Sequence, residues 1–452
     1  MFNDRASSSV RRRLVTALAV LAGTFAARPA QAQGRVLSLD EALRVARNNQ
    51  PQLRAARAQA RQANTRVGEA QAAYLPRVDA QAQYQRSTPN FLLSPMMVHT
   101  PLTKGYQAQN ELGLGNTVDY YVFGVAASQL IYDFGRVPAA IAQAEASEQS
   151  SQADERTFAQ TIAMNVRVAY YGVLAAQQLV EVGEETVRNQ QHHADQVRRF
   201  VDAGQRTRFD LSSVELNLSN AQLGLVRARN VLRLAKIRLN SAIGVDERAD
   251  YGVEEPVDPA SLSEGTPLDD LARQAEQRRP ELARADAQVR AQQAAVRAAR
   301  AGYLPSINAL GGVSGAKVEG FGAGYDWYVG IGLNWNLFNG FFTMKQVAEA
   351  RSGEEVASAQ RENTRQIIVA DIQEQVLAID DAHARYELAQ RTIATATERL
   401  QQAEHRYETG AGEVLELDDA QITLTNAKAQ SVQAQYDLAS ARARLSRAVG
   451  QD

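Results

Sequence analysis

Residues 207–243 read TRFDLSSVELNLSNAQLGLVRARNVLRLAKIRLNSAI, and leucine occupies one position in every seven of this stretch. Valine or alanine follows each of these leucines three residues later. A 3.5-residue repeat held this long coils one helix around another in a left-handed sense, and alanine lets the helix axes approach closely. The stretch therefore predicts a long helix packed in a coiled coil. The two rows are Leu211, Leu218, Leu225, Leu232 and Leu239, and Val214, Ala221, Ala228, Ala235 and Ala242.

The same pattern occurs a second time near the end of the chain. Leu417, Leu424, Leu438 and Leu445 repeat the leucine row, and Ser431 interrupts it. The segments before both stretches carry seven-residue spacings as well. We therefore predict long helices over 136–203 and 342–409, each about 100 Å long at 1.5 Å per residue. Shorter return helices follow them over 207–243 and 413–449.

The chain is one unit written twice. Tyr74-Leu75-Pro76 recurs 229 residues later as Tyr303-Leu304-Pro305, and Gly204 recurs 206 residues later as Gly410. The difference of 23 residues is an insertion between Pro76 and Tyr132 of the first copy. These offsets predict a first repeat over 33–244, an acidic, proline-containing connector over 245–265, and a second repeat over 266–452. Each repeat also opens with a short helix, over 51–73 and 280–302.

Residues 1–32 have the form of a secretory signal. Arg11, Arg12 and Arg13 precede an apolar stretch of 14 residues, and Ala30-Gln31-Ala32 is a cleavage site of the A-x-A type. We expect the mature chain to begin at Gln33. The 452 residues carry a net charge of −2 and no cysteine. Disulfides, cysteine metal sites and an acylated N-terminal cysteine are therefore excluded, and no basic excess points to nucleic acid.

Short alternating segments interrupt the helical pattern. From Trp327 to Leu337 every second residue is large and apolar, with Trp335 near the end. Tyr121 and Phe123 begin the matching segment of the first copy. Period two with aromatic ends is typical of strands that cross an outer membrane. We predict β-hairpins over 76–132 and 305–338, joined by loops at about 87–117 and 314–325.

Four strands cannot close a barrel, and an open sheet edge in lipid leaves backbone groups unpaired. If the hairpins enter a membrane, the barrel must be shared between chains, and three chains supply twelve strands. A small water-exposed sheet remains the alternative at this point.

The order of the elements is the same in both copies. A short helix, Tyr-Leu-Pro, a β-hairpin, an aromatic residue before Asp133 or Asn339, a long helix, a glycine turn and a return helix occur twice. This order resembles the TolC-like outer-membrane efflux protein family, in its unlipidated branch. The resemblance implies a mainly α fold with a small β part. It implies a homotrimer with an α-barrel in the periplasm, a shared 12-stranded barrel in outer-membrane lipid, and an equatorial belt around the connector.

The implied function is an exit duct of a tripartite efflux pump or type I secretion system. A periplasmic adaptor and an inner-membrane transporter, of the RND or ABC type, would be its partners. The alternative is a periplasmic coiled-coil structural or adhesin-type protein without a pore. No Ser-His-Asp, HExxH or phosphate-loop motif supports an enzyme, and we expect no cofactor.

The resemblance also assigns roles at the turns between long and return helices. It places Glu416 and Asp419 around the periplasmic aperture. Tyr407 and Asp210 match residues that hold neighbouring turns together, but Gly412 stands where the family has an arginine, and we expect Arg206 to substitute for it. The turn residues that would face the adaptor are Gly204, Gln205, Gly410 and Ala411.

His192, His193 and Asp195 are the remaining cluster with metal-ligating side chains. They lie in the middle of a predicted helix, and we interpret them as solvated side chains on its polar face, with no metal site.

Overall fold

The computed structural model describes residues 35–87, 118–246, 251–255, 266–318 and 322–451. The predicted secretory signal, all but the first residue of the loop predicted at about 87–117, and most of the predicted connector lie outside these residues.

Eight α-helices are described, four in each copy. The first copy contains α1 (Leu39–Asn49), α2 (Pro51–Gln71), α3 (Arg136–Asp202) and α4 (Arg208–Ile243). The second contains α5 (Leu268–Arg278), α6 (Pro280–Ala301), α7 (Phe342–Glu408) and α8 (Val414–Ala448). The predicted fold class, mainly α with a small β part, is confirmed at this level. Among the described helices, none is both long and apolar enough to cross a membrane.

The long helices α3 and α7 form the frame of the chain. In the half of the chain next to the long strands, adjacent helices follow the order α2, α3, α6, α7. In the half that ends at the helix reversals, they follow the order α4, α3, α8, α7. The chain is thus a wall four helices wide at both levels. One edge of the wall is α2 and α4, and the other edge is α7.

Position in this wall explains how deeply each heptad row is buried. The return helix α4 packs along its length mainly on α3, and of its two rows only Val214 and Leu239 are fully buried. The return helix α8 packs on both α7 and α3, so its matching rows are buried along most of their length. The same sequence pattern therefore gives an edge helix in one copy and an inner helix in the other.

The four long strands form one antiparallel sheet. They are β2 (Arg77–Ser87), β3 (Val118–Tyr132), β5 (Ser306–Val318) and β6 (Gly322–Asn334), hydrogen-bonded in the order β2, β3, β5, β6. The predicted loop over 314–325 is wrong, because glycine-rich backbone there continues both strands and only 319–321 separate them. The predicted strand end at Leu337 is also wrong, because Trp335 already lies beyond β6, where its indole N–H donates to the carbonyl of Tyr303 (3.1 Å).

The sheet has one apolar and one polar face. Tyr121, Phe123 and Trp327 lie on the apolar face, and Trp327 is 68% exposed in the single chain. Phe123 covers Gly315 of the neighbouring strand, where a Cβ atom would lie 2.3 Å from the ring. Glutamine, asparagine, serine and glycine are frequent on the opposite face, which also exposes Leu310 and Tyr328. The apolar exposed members are Val78, Tyr84, Tyr121, Phe123, Val125, Val313, Tyr325, Trp327, Val329, Ile331 and Leu333.

A smaller parallel pair lies at the middle of the wall, where β1 (Arg35–Leu37) meets β4 (Tyr251–Val253). The buried hydroxyl of Tyr170 on α3 lies 2.8 Å from the carbonyl oxygen of Leu37 and 2.6 Å from that of Glu254. Burial raises the pKa of Tyr170 to about 12. The hydroxyl therefore stays protonated and ties the long helix to both strands.

The two copies fasten the end of their return helix in different ways. In the first copy, the side-chain amide of Gln50 donates to the carbonyls of Ser241 (3.2 Å) and Ala242 (2.9 Å). In the second copy, Arg279 takes this place and donates to the carbonyl of Arg447 (3.2 Å). Arg279 is almost fully buried, and Asp371 lies 2.9 Å from its guanidinium, so a charged network replaces the amide of the first copy.

Glycine is required where each return helix ends. Gly244 has φ +74°, and a Cβ atom there would lie 2.9 Å from the Cα of Gln50. Gly450 has φ +78° and makes the matching close approach to Arg278. Both positions therefore combine a left-handed backbone with backbone contact.

The substitution Gly244→Ala should lower the free energy of unfolding by at least about 1–2 kcal/mol, because the left-handed conformation alone costs an L-residue that amount. Thermal unfolding followed by circular dichroism measures the change. Gly172→Ala is the control, since Gly172 lies within α3 with open space around its Cα and alanine favours a helix by about 1 kcal/mol. Equal melting temperatures for Gly244→Ala and the parent would contradict this packing.

Candidate functional site at the hairpin tips

The two helix reversals, which we call the tips, share one backbone geometry. Gly204 (φ +72°) and Gly410 (φ +76°) end the long helices. The N–H of Gln205 donates to the carbonyl of Phe200 (2.8 Å), and the N–H of Ala411 donates to that of Arg406 (2.9 Å). These bonds define a Schellman motif, which needs glycine at the left-handed position. Gly204, Gln205, Gly410 and Ala411 are all exposed at the end of the wall.

Asp210 caps the start of α4. Its carboxylate accepts the N–H of Thr207 (3.1 Å), and the Thr207 hydroxyl accepts the N–H of Asp210 (3.2 Å). This reciprocal capping box satisfies two free donors at the start of α4. No hydrogen bond joins Asp210 to Tyr407 among the described residues of one chain.

Tyr407 is buried against the first tip. The guanidinium carbon of Arg206 lies 5.0 Å from the centre of its ring, a cation–π arrangement. Burial raises the pKa of Tyr407, while the positive charge of Arg206 opposes that rise. The structure thus brings together two of the three residues predicted to hold the tips, and it does so between the two copies of one chain.

Gly412 lies in a crowded position. A Cβ atom there would lie 3.0 Å from backbone atoms of Arg406 and Tyr407. The arginine of the family pattern would therefore require the second tip to shift. Arg206, at the equivalent position of the first tip, reaches Tyr407 without that clash.

Glu416 and Asp419 lie three residues apart on α8, so both carboxylates project from one side of the helix. Asp419 is exposed, and Glu416 pairs with the guanidinium of Arg406 at 3.3 Å. Sequence reasoning missed Arg406, which sits on α7 opposite Glu416. An arginine in the last turn before a glycine reversal was the available signal.

The prediction for His193 is wrong. His192 and Asp195 are exposed as expected, but the His193 side chain is only 4% exposed and lies between helices. Its Nε2 atom faces Oδ1 of Asp418 at 4.0 Å. Burial, and then the neighbouring His192, lowers the pKa of His193. The helix face that appeared polar in sequence is the contact between α3 and α8.

Asp418 was not a candidate in the sequence. Its other oxygen accepts a hydrogen bond from the amide of Asn217 (2.8 Å). Burial, followed by the negative charge of Asp419, raises the pKa of Asp418 to about 6, and the Asn217 hydrogen bond opposes the rise. Its position four residues after Val414, on a row facing another helix, was the signal that could have been read. In the described part of the chain, no three His, Cys, Asp or Glu side chains gather as a metal cluster.

With this geometry established, the comparisons with known proteins decide the family. The model of the outer membrane efflux protein family matches residues 42–245 and 271–451. The chain belongs to the outer membrane efflux protein family. The two matched segments fall on the two copies and leave the connector between them.

Relatives agree with that assignment. The pyoverdine export outer membrane protein OpmQ of Pseudomonas aeruginosa is 26% identical over 418 residues, covering 91% of this chain and 85% of that protein. The outer membrane protein TolC of Escherichia coli is 24% identical and covers 87% of this chain and 78% of that protein. The open-state structure of the Neisseria gonorrhoeae MtrE outer membrane channel superposes with a TM-score of 0.73 at 20% identity, covering 91% of this chain and 89% of that one.

The protein is therefore an outer-membrane efflux channel with its helical part in the periplasm. The family is one of transport proteins. The coiled-coil structural or adhesin-type alternative is set aside by the same match.

The capping box gives a local prediction. Thr207→Ala should cost about 1 kcal/mol of helix stability, since it removes the cap of α4. Faster amide exchange confined to the first turn of α4, measured by hydrogen–deuterium exchange and mass spectrometry, is the expected result. Thr423→Ala, within α8, is the control and should leave that turn unchanged. Unaltered exchange in Thr207→Ala would contradict the capping role.

Proposed function

We propose that three copies of this chain close into one tube, which serves as the exit duct of a tripartite efflux pump or a type I secretion system. The observation that supports this most is that the sheet and the helical wall of a single chain, as far as the structure describes it, both have edges without a neighbour. At each level of the wall, the first copy supplies one edge and the second copy supplies the other. The edges are β2 and β6 in the sheet, α2 and α7 beside it, and α4 and α7 toward the tips.

Edges of this kind join by repetition of one head-to-tail contact. Strand β6 of one chain would pair with β2 of the next, and α7 would pack on α2 and α4 of the next. A head-to-tail contact closes into a ring when its rotation permits. Membership of the family supports three chains, which gives twelve strands and a shared barrel in the outer membrane.

The free side of α4 supports the same assembly. A second row of residues seven apart runs along it, and the members Phe209, Leu216, Leu223 and Ile237 are exposed in the single chain. Such a row in contact with water is unfavourable, and a sustained apolar row predicts a helical partner. The exposed apolar residues of α7, among them Val356, Ile367, Leu377 and Leu388, provide one in a neighbouring copy.

The apolar face of the sheet supports placement in lipid. It is continuous over four strands and ends in aromatic residues, as a lipid-facing barrel surface does. Tyr121, Phe123 and Trp327 would face the membrane, while Trp335 would lie at the interface next to the helices. The polar face would then line the water-filled interior.

The tips would form the periplasmic gate. Three copies of Glu416 and Asp419 would place six carboxylates around one opening, which attracts cations and binds divalent ions. Arg206 and Tyr407 hold the two tips of one chain together, and their separation would accompany opening. The exposed glycine turns would meet the periplasmic adaptor, and an RND-type or ABC-type transporter in the inner membrane would supply the energy. The transporter would select the cargo, because a duct of this kind selects little.

The assembly can be tested on α4. Leu216→Lys combined with Leu223→Lys should shift the detergent-solubilised protein from trimer to monomer, because two charges per contact would be buried against the next chain. Size-exclusion chromatography with light scattering measures the mass. Gln222→Lys adds a lysine to an exposed position about 100° around α4 from this row and should leave the trimer intact. A monomeric parent protein would refute the assembly.

The gate can be tested by electrophysiology. Glu416→Ala combined with Asp419→Ala should reduce cation preference and divalent block in a planar bilayer, since the carboxylate rings are removed. Asp437→Ala is the control, because Asp437 lies 21 residues beyond Glu416 on the same side of α8. Ion selectivity equal to that of the parent would rule out the aperture assignment.

A further inference from the structure

The contact between α3 and α8, which we call the inter-hairpin seam, is polar near the tips. The leucine and alanine rows of the return helix face the long helix within each hairpin instead. Across this seam, Lys428 pairs with Glu185 (2.8 Å), Thr186 lies 3.3 Å from Thr425, and Gln190 donates to Gln421 (2.7 Å). Each of these layers is closed by a direct bond between side chains.

The next layer toward the tips is built differently. His193 and Asp418 face each other with side chains only 4% and 6% exposed, yet their nearest atoms are 4.0 Å apart. Neither His193 Nε2 nor Asp418 Oδ1 has a hydrogen-bond partner among the described residues. A buried polar atom without a partner destabilises the fold, because it has lost its bonds to water and nothing replaces them. Two such atoms aimed at one another indicate that something binds between them.

Side chains from all four tip helices surround this point. Asn217 of α4 holds the second oxygen of Asp418 (2.8 Å), which fixes the carboxylate. Tyr407 of α7 packs edge-on against the imidazole, with ring centres 5.5 Å apart. Metal sites in helical bundles are built in this way, from side chains on facing helices.

We propose that His193 and Asp418 bind a divalent transition-metal ion, of which Zn²⁺ is the type. Imidazole nitrogen and carboxylate oxygen are both zinc ligands, with bonds of about 2.0–2.2 Å. At a tetrahedral angle such bonds place nitrogen and oxygen about 3.4 Å apart, so the pair closes by about 0.6 Å when the ion binds. Water completes the coordination, and Asn217 orients the carboxylate as a hydrogen-bonded neighbour of a ligand.

The ion would fasten the first hairpin to the second. His193 lies on α3 and Asp418 on α8, so a metal bond between them joins the two hairpins of one chain directly above the tips. The existence of the site is independent of the proposed duct function. Its effect, which is to hold the gate closed, rests on that function.

Zinc binding tests the site directly. The full chain is used in the Glu416→Gln, Asp419→Gln background, which removes the proposed aperture carboxylates as competing ligands. Equilibrium dialysis against Zn²⁺ with metal analysis should find one tightly bound ion per chain. His193→Gln and Asp418→Asn should each abolish that binding. Asn217→Ala should weaken it about tenfold, as loss of such a supporting group does.

Two matched controls locate the ion. His192→Gln changes the exposed neighbour of His193 and should retain the ion. His383→Gln removes the exposed pair that His383 forms with Glu387 (3.8 Å), and it should also retain the ion. Circular dichroism establishes that each variant is folded. No tight ion in the background protein, or an ion that His193→Gln and Asp418→Asn both retain, would overturn the site.

Conductance measurements distinguish zinc binding at the site from the proposed effect of zinc on the gate. Zn²⁺ should lower the open probability of the background channel and leave that of its His193→Gln variant unchanged. Zinc bound at His193 with no change in open probability would overturn the fastening role while the site itself stood. The trimer mass and the ion selectivity of the parent test the duct function separately.

Discussion

A strand at the edge of a sheet has backbone N–H and C=O groups without partners, and in lipid each such group costs several kcal/mol. This chain has two such strands, β2 and β6, on a sheet whose exposed face is apolar. Burying that face in a membrane is favourable only if β2 and β6 form backbone hydrogen bonds with the edge strands of neighbouring chains. The helical part meets the same condition in water, since α4 exposes a second apolar row and α7 exposes scattered large residues. The fold is therefore a wall with matching edges, and the proposed assembly into a duct depends on the closing of those edges.

Duplication explains why the edges match, and the differences between the copies explain where the function lies. Both tips use the same Schellman geometry, and both return helices end on a crowded left-handed glycine. Besides the insertion in the first hairpin, the copies diverge at the middle and at the tips. Gln50 became a buried arginine network in the second copy, and Arg206 of the first tip corresponds to Gly412 of the second. The gate candidates are thus equivalent positions of the repeated unit whose surroundings differ between the two copies.

The sequence was sufficient for the long helices, because each carries a heptad row with a clear period, but it did not predict the short helices α1 and α5. It was also sufficient for the alternating faces of the strands. It misplaced their ends, because the glycine-rich stretch at about 314–325 suggested a loop, whereas Gly315 lies in β5 and provides the space that Phe123 needs. The sequence pattern wrongly placed His193 on a solvated face. The inter-hairpin seam is lined by polar residues, and polar residues that face a neighbouring helix recur with the same period as polar residues that face water. Burial there follows from which helices become neighbours, and a single sequence does not state that.

Amide hydrogen exchange of the strands in lipid nanodiscs tests the central claim most directly. A closed ring gives every strand two hydrogen-bonded neighbours, so β2 and β6 should exchange as slowly as β3 and β5. An open four-stranded sheet leaves alternate amides of β2 and β6 unbonded. Fast exchange at those amides, with slow exchange confined to β3 and β5, would contradict the shared barrel.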